Sequence, residues 1–312
     1  MREAGAARPP GSSAPSPLPT RGEEGGQRRW RAALLSLLLS TPAGACPGPL
    51  VAEVPIRLAG GYPLVDGALG GAPAAFLLDT GAQGHAVTPA AARGLPALPG
   101  AVRVLGTGGA QDAPAVQLRG LRVGAAPLPD APAPVLSLPP GLPAVAGLLG
   151  DPVLRAYDVD LDVPRGRMAL HAPKACPYNL GPAWLGAPAR IPFTRAPGGA
   201  MLLPVAINGT PLLALLDTGS RATVLTDAAA ARLGLGAPVA ASTARGVDGQ
   251  RVALRYVTLQ TLQVGWTRTN AMPAGVSALQ LGGADLVLGL DWIGRQRLWV
   301  SYRDGFVGVA PR

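Results

Sequence analysis

With 312 residues, 48% of them hydrophobic and 14% charged, the chain has room for two domains of ordinary size and a sizeable core. Its 43 glycines, 35 prolines and scarce aromatics favour strands and turns over helices. The formal charge of +9 rests on scattered arginines, Lys174 being the one lysine, and without basic clusters or stacking aromatics this composition argues against a nucleic-acid partner. Cys46, Cys176, His85 and His171 are the whole stock of cysteine and histidine, and they lack the paired spacing of a zinc site. No metal and no other cofactor is expected.

Residues 1–27 are poor in large apolar side chains and rich in Pro, Gly and Ser, so they are expected to be disordered, or to reflect a start codon placed too far upstream. Arg28-Arg29-Trp30-Arg31 leads into the apolar run Ala32–Leu39 and then Ala43-Gly44-Ala45-Cys46. A positive start, a short apolar core and small residues before a cut make a secretory signal, too short to span a bilayer. Two readings of Cys46 stand side by side: the lipidated first residue of a membrane-anchored lipoprotein, or plain cleavage with the thiol left free or paired to Cys176. Either way the mature chain is expected outside the cytoplasm, in the periplasm or anchored to a membrane.

Downstream, Val54–Leu58 and Leu64–Leu69 around Gly60-Gly61 predict a hairpin. Ala74–Leu78 predicts a buried strand that ends at Asp79-Thr80-Gly81. Thr88 to Gly94 predicts a short helix, with Thr88 as cap, Pro89 in the first turn and Gly94 as stop. Val102–Leu105 and Val116–Val123 flank the glycine-rich Gly106-Thr107-Gly108-Gly109 as a second hairpin, and Gly147-Leu148-Leu149-Gly150 follows a Pro-rich connection. Tyr157–Val163 and Met168–Leu170 alternate around Pro164–Gly166, and the Pro-rich 172–189 is the natural connection to a second half.

That second half repeats the first. Residues 209–226 match 71–88 at a spacing of 138, ungapped from Arg57/Arg195 to Ala92/Ala230. Leu202–Ile207 and Pro211–Leu216 lead to Asp217-Thr218-Gly219, followed by a capped helix over 226–234. Gly246-Val247-Asp248-Gly249 is a hairpin tip between arms at 239–244 and 252–259, Val287-Leu288-Gly289 matches Leu148-Leu149-Gly150, and Leu298–Ser301 with Phe306–Val309 close the chain. The expected organisation is a disordered N-terminus with signal peptide (1–45), a first half (46–171), a linker (172–189) and a second half (190–312), all-β with one short helix per half.

An Asp-Thr-Gly after an apolar strand, a glycine-tipped hairpin and a later apolar-apolar-Gly, all occurring twice, resembles the retropepsin-like aspartic peptidases. The resemblance covers roughly 50–310 and implies a bilobal acid-protease fold of two β-barrel halves. It also implies that Asp79 and Asp217 meet and share a proton and a water, as the catalytic pair of an aspartic endopeptidase. Thr80 and Thr218 would bond across the two loops, while Gly81 and Gly219 allow tight turns beside the acids. Two close carboxylates cannot both ionise cheaply, so such a pair holds one proton over a wide pH range.

Gly106–Gly109 and Gly246–Gly249 would be flaps over a peptide or protein substrate, or ordinary hairpin turns. The chain departs from the family where each acid loop continues, with Gln83-Gly84-His85 and Arg221-Ala222-Thr223 in place of further acids. Arg221 is read as surface, His85 as structural or solvent-facing, and His171 as surface. The repeat within one chain makes a monomer with an internal pseudo-dimer the expected form. The alternatives are a catalytically silent peptide-binding envelope protein, or halves that pair with another molecule.

Overall fold

The strands Ala72–Leu78 and Thr210–Leu216 lie at the centre of their halves, and the fold is built outward from them. In the computed structural model the described residues are 47–106, 109–138, 142, 144–174, 181–185, 190–196, 199–235, 240–245 and 251–310, all within one compact unit. Cys46, Cys176, the leader-like segment, Thr107, Gly108 and Gly246–Gly249 lie outside them. Each central strand runs antiparallel to its predecessor, Tyr62–Leu69 or Met201–Ile207, as the Gly-tipped hairpins require. On its other side each runs parallel to a short apolar strand, Gly147–Leu149 or Leu286–Leu288.

Being central, these strands are buried on both faces over their last three residues. Phe76 and Leu78 point into the main core, while Leu77 between them joins a smaller cluster with Leu64, Ala86 and Leu148. The period-2 alternation of side chains accounts for this split. The second half repeats it, with Ala214 and Leu216 in the main core and Leu215 beside Leu202 and Val287. Leu149 and Leu288 are fully buried in the main core, in the packing role their motif suggested.

In the second half the ring closes. Met201–Ile207, Thr210–Leu216, Leu286–Leu288, Val224–Thr226, Thr267–Ser277 and Arg251–Val264 pair in succession, and Val205 opposite Val264 completes the barrel. The first half follows the same path less completely. Its counterpart of the long strand is split into Gly109–Leu118 and Arg122–Val123, so Gly67 opposite Val123 and a lone bridge between Val87 and Val135 stand in for continuous pairing.

A sheet common to both halves lies beneath, in the order Arg190–Pro192, Phe306–Val309, Arg297–Ser301, Asp158–Asp162, Arg167–His171 and Leu50–Ala59. Val159 and Leu161 face the main core, whereas Asp158, Asp160 and Asp162 are buried on the outer side. Asp160 accepts from Arg297 Nε at 2.9 Å and from Arg167 Nη2 at 3.1 Å, and Arg297 lies 4.3 Å over the Trp184 ring of the connecting segment. Buried acids persist on a strand when guanidinium partners satisfy them. His171, expected at the surface, is half-buried, with its Nδ1 3.0 Å from Gly48 O and its ring against Trp299.

One predicted helix did not form. Residues 89–94 make consecutive turns, held by a single four-residue bond from Ala92 N to Thr88 O, although Thr88 Oγ1 does accept from Ala91 N at 3.3 Å. The segment is one turn long, stops at the positive-φ Gly94, and is followed by Pro96, which leads into the strand Ala97–Gly106. In the second half Asp227–Arg232 is the expected helix, capped by Thr226 Oγ1 accepting from Ala229 N. The short helices Pro152–Ala156 and Leu290–Ile293, directly after the apolar-apolar-Gly motifs, were not anticipated. Neither was the strand Thr267–Ser277, whose Pro273 and Gly275 mask its pattern.

Candidate active site

Each central strand hands its chain to a turn that begins with an aspartate. Asp79 N donates to Leu149 O at 2.9 Å and Asp217 N to Leu288 O at 3.1 Å, so the parallel neighbour fixes where each acid leaves the sheet. Within the loops Asp79 Oδ1 accepts from Gly81 N at 3.1 Å and Ala82 N at 3.0 Å, and Asp217 Oδ1 accepts from Gly219 N at 2.8 Å. Each carboxylate is thereby aimed by its own turn.

The two loops are bolted together by their threonines. Thr80 N donates to Thr218 Oγ1 and Thr218 N to Thr80 Oγ1, both at 3.0 Å. The hydroxyls then donate onward, Thr80 Oγ1 to Leu216 O at 2.8 Å and Thr218 Oγ1 to Leu78 O at 2.7 Å. Both threonines are buried, so every one of these groups would otherwise lack a partner. The glycines are required for a different reason. A Cβ on Gly81 would stand 2.5 Å from Asp217 Cγ, and one on Gly219 would stand 2.5 Å from Asp79 Cγ. Each acid thus rests on the other loop's glycine, where no side chain fits.

Asp79 is 6% exposed and Asp217 half-buried. Burial pushes the Asp79 carboxyl well above the usual carboxylate range, and the charge of Asp217 and a hydrogen bond to it push the same way. Burial also raises Asp217, against the hydrogen bond to Asp79 and the backbone N–H groups of Gly219, Ser220 and Gly81. The pair therefore titrates as a unit that retains a proton into the range where isolated carboxyls are ionised.

Behind the acids the halves use different hardware. In the second, Thr223 Oγ1 accepts from Gly289 N at 3.3 Å and donates to Asp291 Oδ1 at 2.8 Å, while Thr223 N donates to Asp291 Oδ2 at 2.8 Å. In the first, His85 takes the place of Thr223, its Nδ1 accepting from Gly150 N at 3.3 Å. His85 is 3% exposed, its Nε2 is buried without a partner, and burial lowers its pKa to about 4. It is structural, as one of the two sequence expectations had it, and not solvent-facing. The Asp291 contact was missed; its one sequence signal is the mismatch of His85 with Thr223, since the position matching Asp291 in the first half is Pro152.

Arg221 is exposed, its guanidinium lying over the Tyr62 ring, and it is not among the groups that shift Asp217. Of the expected flap residues, Gly106 and Gly109 are paired at the end of the first hairpin. Thr107, Gly108 and all of Gly246, Val247, Asp248 and Gly249 are outside the described residues, though Arg245 and Arg251 beside the second tip pair as hairpin arms should. Among the described residues no cluster of His, Cys, Asp and Glu could hold a metal ion.

A family model described as Aspartyl protease matches the chain twice, over residues 65–153 and 203–292, together more than half of it. The chain belongs to the aspartyl protease family. Each matched stretch contains one Asp-Thr-Gly loop and one apolar-apolar-Gly motif, so the family match and the internal repeat coincide. Among solved structures the chain is similar to an aspartic proteinase from Irpex lacteus, with a TM-score of 0.50, 15% identity, and coverage of 83% of this chain and 96% of that one. It is also similar to Basic 7S globulin from soybean, with a TM-score of 0.46, 13% identity, and coverage of 85% and 95%. At such identity the likeness to the Irpex lacteus aspartic proteinase shows the fold alone, the bilobal β fold that the family resemblance implied. No curated protein matches the chain in sequence.

Proposed function

We propose that this aspartyl protease family member is an endopeptidase that hydrolyses peptide bonds with a water activated by Asp79 and Asp217 together. The observation that carries the reading is the mutual fit of the two loops: each Asp-Thr-Gly glycine backs onto the opposite acid, and the threonines lock that arrangement. Because the pair forms within one chain, the geometry supports a monomer over halves that seek another molecule.

In the proposed reaction the pair begins with one proton. The ionised carboxylate takes a proton from water as the water oxygen attacks the peptide carbonyl carbon, and the protonated carboxyl donates to the carbonyl oxygen. The tetrahedral intermediate then collapses. Its C–N bond breaks as the nitrogen receives a proton from the carboxyl that took one from water, while the other carboxylate takes a proton from a hydroxyl of the intermediate as its C=O re-forms, so the pair again holds one proton when the new acid leaves. Neither aspartate is assigned one role, since the proton belongs to the pair.

The leader-like segment 28–46 supports an exported chain, with Cys46 either lipidated or simply the residue after the cut. The mass of the mature N-terminus distinguishes these. The decisive experiment for the activity is cleavage of a peptide library by the mature chain, from acidic to neutral pH, beside Asp79→Asn and Asp217→Asn. Loss of cleavage in both variants is expected; full activity in either would refute the shared pair.

A further inference from the structure

Gly61 and Gly199, matching positions near the start of the two halves, each abut an arginine from the other half. At Gly199 a Cβ would stand 2.4 Å from Arg155 Nη2, and at Gly61 one would stand 2.9 Å from Arg221 Cδ. The two arginines differ in what they are tied to. Arg155 is committed to its own half, donating through Nε to Asp151 Oδ2 at 2.9 Å, and Asp151 is buried. Arg221 pairs with no carboxylate among the described residues. Its guanidinium is exposed, 5.4 Å from the centre of the Tyr62 ring.

Position matters as much as freedom. Arg221 lies four residues beyond Asp217 on the loop that carries that acid, and Ser220 between them accepts from Leu290 N through its backbone oxygen at 2.8 Å. Tyr62 packs against the apolar cluster that contains Leu77, two residues before Asp79. The cation therefore spans from one acid loop to the apolar wall flanking the other. A guanidinium on an aromatic face keeps its N–H edge available, and that planar fork matches a carboxylate. The matching position in the first half, Gln83, is neutral, so this feature occurs on one side only.

We infer that Arg221, held on Tyr62, is a specificity-determining cation that selects substrates with an acidic side chain at one fixed distance from the scissile bond. This rests on the endopeptidase reading for its biological meaning, but the recognition itself does not require turnover. The test uses short, otherwise neutral peptides carrying a single Glu, Gln or Lys at each position in turn. Cleavage is followed with the wild-type chain, and binding is followed by calorimetry with the Asp79→Asn chain.

At low salt one position is expected to show a Glu-over-Gln preference of about three- to ten-fold, the range of a partly exposed ion pair, shrinking as salt is added. Arg221→Ala should bring that ratio to about one, and Arg221→Glu should turn it into a preference for Lys. A flat profile in the Asp79→Asn chain, or a Glu preference that survives Arg221→Ala, overturns the assignment. Glu-selective binding without any cleavage would sink the endopeptidase reading and leave Arg221 as the selector.

Discussion

The two halves solve one problem with unequal parts. Both must hold an aspartate at the mouth of a turn, and both do so with a parallel strand, a crossed threonine and an invading glycine. Behind that front the second half is a closed barrel whose loop is braced by Thr223 and Asp291. The first has an interrupted ring, a turn where its partner has a helix, and a buried histidine as brace. The lesson is that pseudo-symmetry is enforced where the halves touch and relaxed where they do not. A change at the contact disturbs both acids, whereas a change in the scaffold is local.

The largest expected effect tests the shared front. Asp79→Asn and Asp217→Asn should each lower the peptide cleavage rate by about 10²–10⁴-fold, the worth of a positioned acid or base. A large difference between the two variants would break the symmetry claimed for the pair.

Next come the threonines. Thr80→Val removes the partners of Thr218 N and Leu216 O, and Thr218→Val removes those of Thr80 N and Leu78 O. Stranding such buried groups should cost about 2–4 kcal/mol in either variant, read from urea denaturation. Because the contacts mirror each other, the two costs should agree closely; unequal values would show that one half leans on the other.

The braces should separate the halves by pH. Folded His85 has its pKa lowered to about 4, while in the unfolded chain it protonates near 6.5. The unfolded state therefore binds more protons between those values, and stability falls as pH drops through that window. The loss should reach about 3 kcal/mol below pH 4. His85→Gln should flatten this limb in denaturation midpoints measured from pH 7 to 4, and an unchanged slope would remove the histidine from the account.

The dyad carries the opposite sign. Its raised carboxyls contribute stability that is complete in acid and declines as pH rises through their folded values. Replacing either acid with Asn should accordingly stabilise the chain at neutral pH relative to acid.

The smallest effect concerns the two caps. Thr226→Ala should cost about 1 kcal/mol because it uncaps a true helix. Thr88→Ala should cost about as much, since it releases a turn with one helical bond but also the hydroxyl's bond to Ala146 O at 3.3 Å. Thermal denaturation of the pair would show whether the missing helix in the first half matters.

Much of this was legible in the residues themselves. Alternation around Gly-Gly and Pro-Arg-Gly marked the hairpins, because a period of two and a turn residue are local properties. The repeated Asp-Thr-Gly at a spacing of 138 announced two equivalent acids. Composition alone could not say that Thr88–Gly94 stops short of a helix, for that follows from where the next strand begins. Nor could it show that His85 is buried and half-partnered, that Asp291 braces Thr223, or that Asp158, Asp160 and Asp162 lie within the sheet common to both halves.

By itself, then, the order of residues determined the duplicated β architecture and the identity of the two acids, since apolar periodicity and turn chemistry act over a few neighbours. Only the tertiary structure decided that each acid sits on the other half's glycine, that one arginine is spent on Asp151 while another lies on Tyr62 with no carboxylate partner among the described residues, and that one brace is a titratable ring. Those outcomes depend on which surfaces meet across more than a hundred residues of chain, where burial and partner geometry set the energy of a charge and local sequence does not.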